Sequence, residues 1–199
     1  MNLSDSIGLA IMTIILTFIT NIVFKLIQNS TDFLVDKKKF RREHNFAQLK
    51  NLYLDLYGVV SQSEYLRYYS KRYRNIGYEF RAYPFFEIIE RVNGEEIKNG
   101  ITEFNKQQIC ETIIKKSQYA SQELLKLAVA YRYVNHNYLK DHSKKEDKDS
   151  FQQEELRLIA AIINKIVEEC NILLKNCHMD SNLKEIKTKK IDYDFLDEI

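Results

Sequence analysis

Residues 7–24 read IGLAIMTIILTFITNIVF, eighteen positions without a charge. Nothing else in the chain narrows its options as much. A helix that crosses a bilayer needs about 20 predominantly apolar residues. Lys25, whose stem can snorkel, and then Leu26 and Ile27 extend the run to that length. A cleaved signal peptide would carry a basic leader and a small-residue cleavage site. The first six residues carry only Asp5, and no A-x-A pattern follows. The expectation is therefore an uncleaved, single transmembrane helix within residues 1–30.

Flanking charge orients such a helix. Lys25, Lys37, Lys38, Lys39, Arg41 and Arg42 follow the span, and no Lys or Arg precedes it. The positive-inside rule then places the N-terminus outside and the C-terminal domain in the cytoplasm, at the cell membrane. Cys110, Cys170 and Cys177 agree, because three cysteines at unremarkable spacing make no disulfide framework and suit a reducing compartment. Lys37, Lys38, Lys39, Arg41 and Arg42 form a basic juxtamembrane segment within residues 31–45, placed to meet anionic lipid.

The span also carries a polar stripe. Thr13, Thr17, Thr20 and Asn21 recur every three or four residues, with Ala10 on the same face. Hydroxyl and carboxamide groups in hydrocarbon want partners, which a second membrane helix can supply. The alternative is that each threonine bonds its own backbone four residues back.

Beyond the span the chain has one proline and only four of its five glycines, too few for a strand-and-turn architecture. Apolar positions instead recur at alternating spacings of three and four. Phe46, Leu49, Tyr53, Leu56 and Val60 make one seam. Cys110, Ile113, Ser117, Ala120, Leu124, Leu127, Tyr131, Val134 and Tyr138 make a second. Leu156, Ile159, Ile163, Ile166, Cys170, Leu173 and Cys177 make a third. The second predicts one continuous helix over 110–138, and a charged link, 141–149, leads to a helix capped by Ser150 and Gln153. The fold class expected is all-α: a transmembrane helix followed by a cytosolic antiparallel helical bundle with coiled-coil-like seams over 46–179. Asn75 to Gly77 should end the first helix near Arg74, Pro84 opens a short helix, residues 93–100 form a loop, and Thr102 caps the next long helix.

The stretch YLRYYSKRYRNIGYEFRAYPFF, residues 65–86, interleaves aromatic and basic side chains. On a helix Tyr65, Tyr69 and Tyr73 share a face, which reads as a continuation of the core stripe. Arg67, Lys71, Arg72 and Arg74 then take the solvent side as a basic surface beside the aromatic residues. A nucleic-acid surface would need stacking and basic groups exposed together, and nucleic acid is not an expected partner. A second alternative is contact with anionic lipid. The tail, 180–199, turns acidic and sets Tyr193, Phe195 and Leu196 among carboxylates. It is either a docking motif for a partner or a segment packed on its own bundle, against the basic stretch.

Signs of chemistry are sparse. No phosphate loop, nucleophile elbow or metal-binding H-E-x-x-H occurs, so no catalytic residue, cofactor or metal is expected. Paired carboxylates such as Glu154–Glu155 and Glu168–Glu169 read as ordinary wet helix faces. Arg132 and His136 stand with three residues between them. The pair resembles the arginine, four to six residues, then histidine of helical HEPN-type ribonucleases, with a shorter gap. That resemblance implies an RNA-cleaving role for these two residues.

The function expected is a membrane-anchored, non-enzymatic interaction module, an adaptor or scaffold that self-associates or holds a partner protein. One alternative is a membrane-perturbing effector of the bacterial toxin or anti-phage (antiviral defence) type, which oligomerises through its transmembrane helix. The other is the ribonuclease.

Overall fold

The computed structural model describes residues 3–77, 79, 82–86, 91–92, 95–96, 105–138, 145–194 and 196. The chain divides into two compact units, Met1–His44 and Asn45–Ile199. Its described residues are helical almost throughout, and the class is all-α.

The first helix, α1, spans Leu3–Gln48. A π-helical turn occupies Leu49–Tyr53 and leads into α2, Leu54–Tyr73. Backbone angles at Gln48, Tyr53 and Leu54 stay right-handed helical, so the path does not break there. The extra residue of a π turn rotates the helical face beyond it. Here it leaves Leu49, Leu52, Tyr53 and Leu56 all buried, as the first seam requires, whereas Phe46 is exposed. The helix ends where the sequence indicates: Asn75 adopts a left-handed φ of 52°, and the Ser70 carbonyl accepts from the amides of Arg74 and Ile76.

The second seam is not one helix. It is α3, Lys106–Lys115, a 3₁₀ turn at Ser117–Tyr119, and α4, Gln122–Tyr138. Local and tertiary bonds both stabilise the break. Ala120 is extended, the Ser121 hydroxyl accepts from the Leu124 amide at 3.1 Å and caps α4, and the Ser121 amide donates to the Tyr53 hydroxyl at 3.1 Å. Gln48 adds a bond to the Tyr119 carbonyl at 3.1 Å. Such side-chain partners make a non-helical backbone as satisfied as a helical one. The capping box lies at Asn105 and Gln108, which exchange bonds at 2.8 and 3.3 Å. The cap expected at Thr102 lies outside the described residues.

Helix α5 spans Lys145–Asn176, so it begins five residues before Ser150, and Ser150 is an interior residue rather than a cap. His178, at φ 59°, turns the chain out of it, and the short α6, Leu183–Thr188, is capped by the Asn182 side chain. Contacts pair Glu123 with Lys165 and Tyr131 with Glu155, so α4 and α5 run in opposite directions. No short helix opens at Pro84. Residues 84–86 are non-helical, and Arg91–Val92 pairs antiparallel with Glu95–Glu96. Glu95 and Glu96 are therefore in a strand rather than in the loop expected over 93–100.

The core of the second unit is continuous. Leu52 and Leu56, Ile109 and Ile113, Leu124 and Ala128, and Ile159, Ile162, Ile166 and Val167 are wholly buried. Burying each larger side chain contributes roughly 1.5–3 kcal/mol.

Candidate membrane-facing and basic-aromatic surfaces

In the first unit, the side chains described on α1 are exposed. Met12, Leu16, Ile19, Val23, Leu26, Phe33 and Phe40 are examples, and none of the most apolar eighteen-residue stretch is buried. The helix is long and apolar enough to cross a membrane. The Thr17 hydroxyl donates to the Thr13 carbonyl and that of Thr20 to the Leu16 carbonyl, both at 2.8 Å. Their donor protons are used within the helix, while Asn21 is exposed. Lys37, Lys38, Lys39, Arg41 and Arg42 are exposed too, and the Phe40 ring stacks on His44 at 6.4 Å.

Beyond Val60 the face of α2 is inverted relative to the sequence expectation. Leu56, Val60, Ser63 and Arg67 point inward, and Tyr65, Tyr69 and Tyr73 point out. Arg67 is therefore no surface residue. It is 8% exposed, donates to the Tyr83 carbonyl at 2.6 Å and to Glu64 at 3.0 Å, and lies over the Phe86 ring at 5.1 Å. The Ser63 hydroxyl accepts from the Phe86 amide at 2.7 Å. Together they fasten residues 83–86 onto α2. Burial pushes the Glu64 carboxyl up from its ordinary value, against the pull of Arg67. Lys71, Arg72 and Arg74 are exposed as expected.

Tyr193 of the tail packs on the same helix. Its hydroxyl donates to the Ser61 carbonyl at 2.6 Å, and its ring meets Tyr65 edge-on at 5.6 Å. The described part of the tail is thus packed on its own chain. Leu196 is half-buried, and Phe195 lies outside the described residues.

Three polar clusters, two of them around buried carboxylates, have no counterpart in the sequence pattern. Glu155, expected on a wet helix face, is buried and accepts from the Tyr131 hydroxyl at 2.8 Å, with the Lys106 ammonium at 3.8 Å. Glu185 is 2% exposed and accepts from Tyr57, from Asn171 and from the Asp192 amide at 2.7, 2.7 and 2.9 Å. Tyr53 donates to Glu169 at 2.6 Å. Burial, reinforced by these carboxylates, raises the Tyr53 and Tyr57 phenols well above their ordinary value. Only pairing with residues distant in sequence buries Glu155 and Glu185, and no local pattern encodes it.

Arg132 and His136 are exposed and line a pocket of about 190 Å³ with Gln107, Cys110, Glu111 and Asn135. None of the three cysteines forms a disulfide, and burial pushes the Cys110 and Cys170 thiols up to about 12. Among the described residues, no group of three His, Cys, Asp or Glu side chains is arranged to hold a metal ion. No family model, no curated protein and no solved structure matches the chain.

Proposed function

We propose that the protein is a membrane-anchored helical interaction module, a non-enzymatic adaptor or scaffold that self-associates. The observation that carries this reading is α1. Its apolar side chains have no protein covering them between Met12 and Ile27, and no charge interrupts the span before Lys25. A helix uncharged on all sides and mostly apolar belongs in a protein core or a membrane. The unit Asn45–Ile199 has its own core and does not draw on these residues. The charge rule then puts that unit in the cytoplasm. Lys37, Lys38, Lys39, Arg41 and Arg42 rest on anionic headgroups, each contributing about 1 kcal/mol.

Self-association runs through the face bearing Thr13, Thr17, Thr20 and Asn21. With the Thr17 and Thr20 hydroxyl protons satisfied within the helix, Asn21 is the residue left to bond across helices.

The test is the mass of the full chain, gently extracted in detergent, together with the membrane potential of cells after induction. An oligomer or a complex with a second protein, at unchanged potential, supports the module. Depolarisation that Thr17→Leu with Asn21→Leu abolishes replaces it with the membrane-perturbing effector. A bare monomer that degrades RNA, inactive as His136→Ala, replaces it with the ribonuclease.

A further inference from the structure

The outward face of α2 carries aromatic rings and cations together, where the tyrosine spacing alone suggests a core stripe. Tyr65, Tyr69 and Tyr73 stand one turn apart and are 42, 39 and 65% exposed. Arg72 and Arg74 are exposed beside them, and Lys71, also exposed, shares a pocket with Tyr68 and Tyr193. These side chains are organised. The Tyr69 and Tyr73 rings lie 5.0 Å apart, Arg72 sits over the rings of Tyr68 and Tyr73 at 5.7 and 5.8 Å, and Arg74 sits over Tyr69 at 5.9 Å. Arg72 also donates to the Tyr68 hydroxyl. At the other end, Tyr193 meets Tyr65 and Tyr68 and continues the row of rings.

We infer that this face binds single-stranded RNA. Unpaired bases stack on aromatic rings and on guanidinium planes that themselves lie on rings, whatever their sequence. Phosphates need cations alongside the stacking groups, and Lys71, Arg72 and Arg74 provide them. An anionic bilayer is the other surface these charges could meet. A face that enters the acyl region, rather than touching headgroups, needs aliphatic or tryptophan side chains. Apart from half-buried Leu66, the helical residues from Tyr65 to Tyr73 are tyrosine, serine, lysine and arginine, and the exposed large hydrophobic ones are all tyrosine. The inference goes beyond the anchoring role and depends on it only for the cytoplasmic placement that makes RNA the available strand.

The experiment uses the full chain in zwitterionic phosphatidylcholine nanodiscs and a fluorescent twelve-nucleotide oligouridine, read by anisotropy across a salt series. Single-stranded RNA should bind, with log affinity falling against log salt at a slope of about −2, as three phosphate contacts on a single strand imply. Tyr69→Ser with Tyr73→Ser should weaken binding by roughly tenfold or more and leave the slope unchanged. Arg72→Gln with Arg74→Gln should cut the slope by about 1.4. All four residues are exposed, so the helical circular dichroism should not change. Equal affinity for duplex RNA would overturn the inference, because paired bases cannot stack on the face. So would RNA affinity indifferent to both double variants, or no binding at 50 mM salt. If instead the same variants abolish capture of phosphatidylserine liposomes and RNA does not bind, the face meets lipid. Protein that stays inserted in nanodiscs but ignores RNA breaks this inference alone, and failed insertion breaks the anchor.

Discussion

Ile19 in α1 and Ile166 in α5 both sit in long helices rich in isoleucine, yet the first is 51% exposed and the second wholly buried. The difference lies in what surrounds them. Around Ile166, Lys165, Glu168 and Glu169 border the apolar stripe, and ion pairs link Lys165 to both carboxylates at 3.5–3.6 Å. The apolar residues of α5 are confined to one stripe, which α2, α3 and α4 can cover. Around Ile19 there is no charge for several turns toward the N-terminus, and none toward the C-terminus before Lys25. A stripe needs neighbouring helices, whereas a sleeve of apolar side chains needs an apolar solvent.

Substituting charge at both sites gives the largest expected contrast. Ile166→Asp should cost more than about 4 kcal/mol and abolish the cooperative thermal transition followed by circular dichroism. Ile19→Asp should leave that transition within about 0.5 kcal/mol of the parent and instead reduce the fraction recovered in membranes. A matching loss of the transition in both variants would mean that α1 belongs to the same core.

Truncation should sharpen the contrast at smaller cost. Ile166→Ala removes packing at a wholly buried position and should lower stability by about 2–5 kcal/mol in urea denaturation. Ile19→Ala should barely register. Next come the buried polar contacts. Tyr57→Phe leaves the Glu185 carboxylate short of one donor and should cost about 1–2 kcal/mol.

Alkali separates the regions in another way. The Cys110 and Cys170 thiols rise from the ordinary 9.0 to about 12 because burial disfavours thiolate. The native state therefore holds protons that the unfolded chain releases. Their contribution is fully present below about pH 9 and is lost as pH climbs toward 12, and Tyr53 and Tyr57 add to the same loss above about pH 10. Denaturation midpoints between pH 8 and 11 should fall accordingly. At pH 8, a thiol reagent should modify half-buried Cys177 well before Cys110 and Cys170. The smallest effect is expected at the surface: Asp55→Asn, which removes the 3.2 Å pair with Lys116, should cost under about 0.5 kcal/mol.

The all-helical class and most of the buried stripe are legible in spacing alone. Leu49, Tyr53, Leu56 and Val60, and later Ile159, Ile163, Ile166 and Cys170, are buried as their period requires. The break between α3 and α4 is not, because the three-four pattern runs straight through Ser117 and Ala120. The bonds that stabilise the break come from Gln48 and Tyr53, more than sixty residues away in sequence. Ser121, three residues before Leu124, is the available local sign of a new cap. The orientation of α2 is hidden for a related reason. Tyrosine at i, i+4 and i+8 looks like a core stripe, but an arginine with a carbonyl, a carboxylate and a ring to bind takes the inside position instead. The polybasic segment and the apolar span are legible because composition alone defines them.

The central claim is that α1 holds the protein in a bilayer while the unit Asn45–Ile199 folds by itself. The most direct measurement is fractionation of cells expressing the full chain, with the membrane pellet washed in alkaline carbonate and intact cells treated with protease from the outside. The account predicts that the chain stays in the pellet after the wash and that the helical unit is protected until the membrane is opened. Release of the chain into the carbonate supernatant would contradict the anchor, and digestion of the helical unit in sealed cells would contradict its cytoplasmic placement.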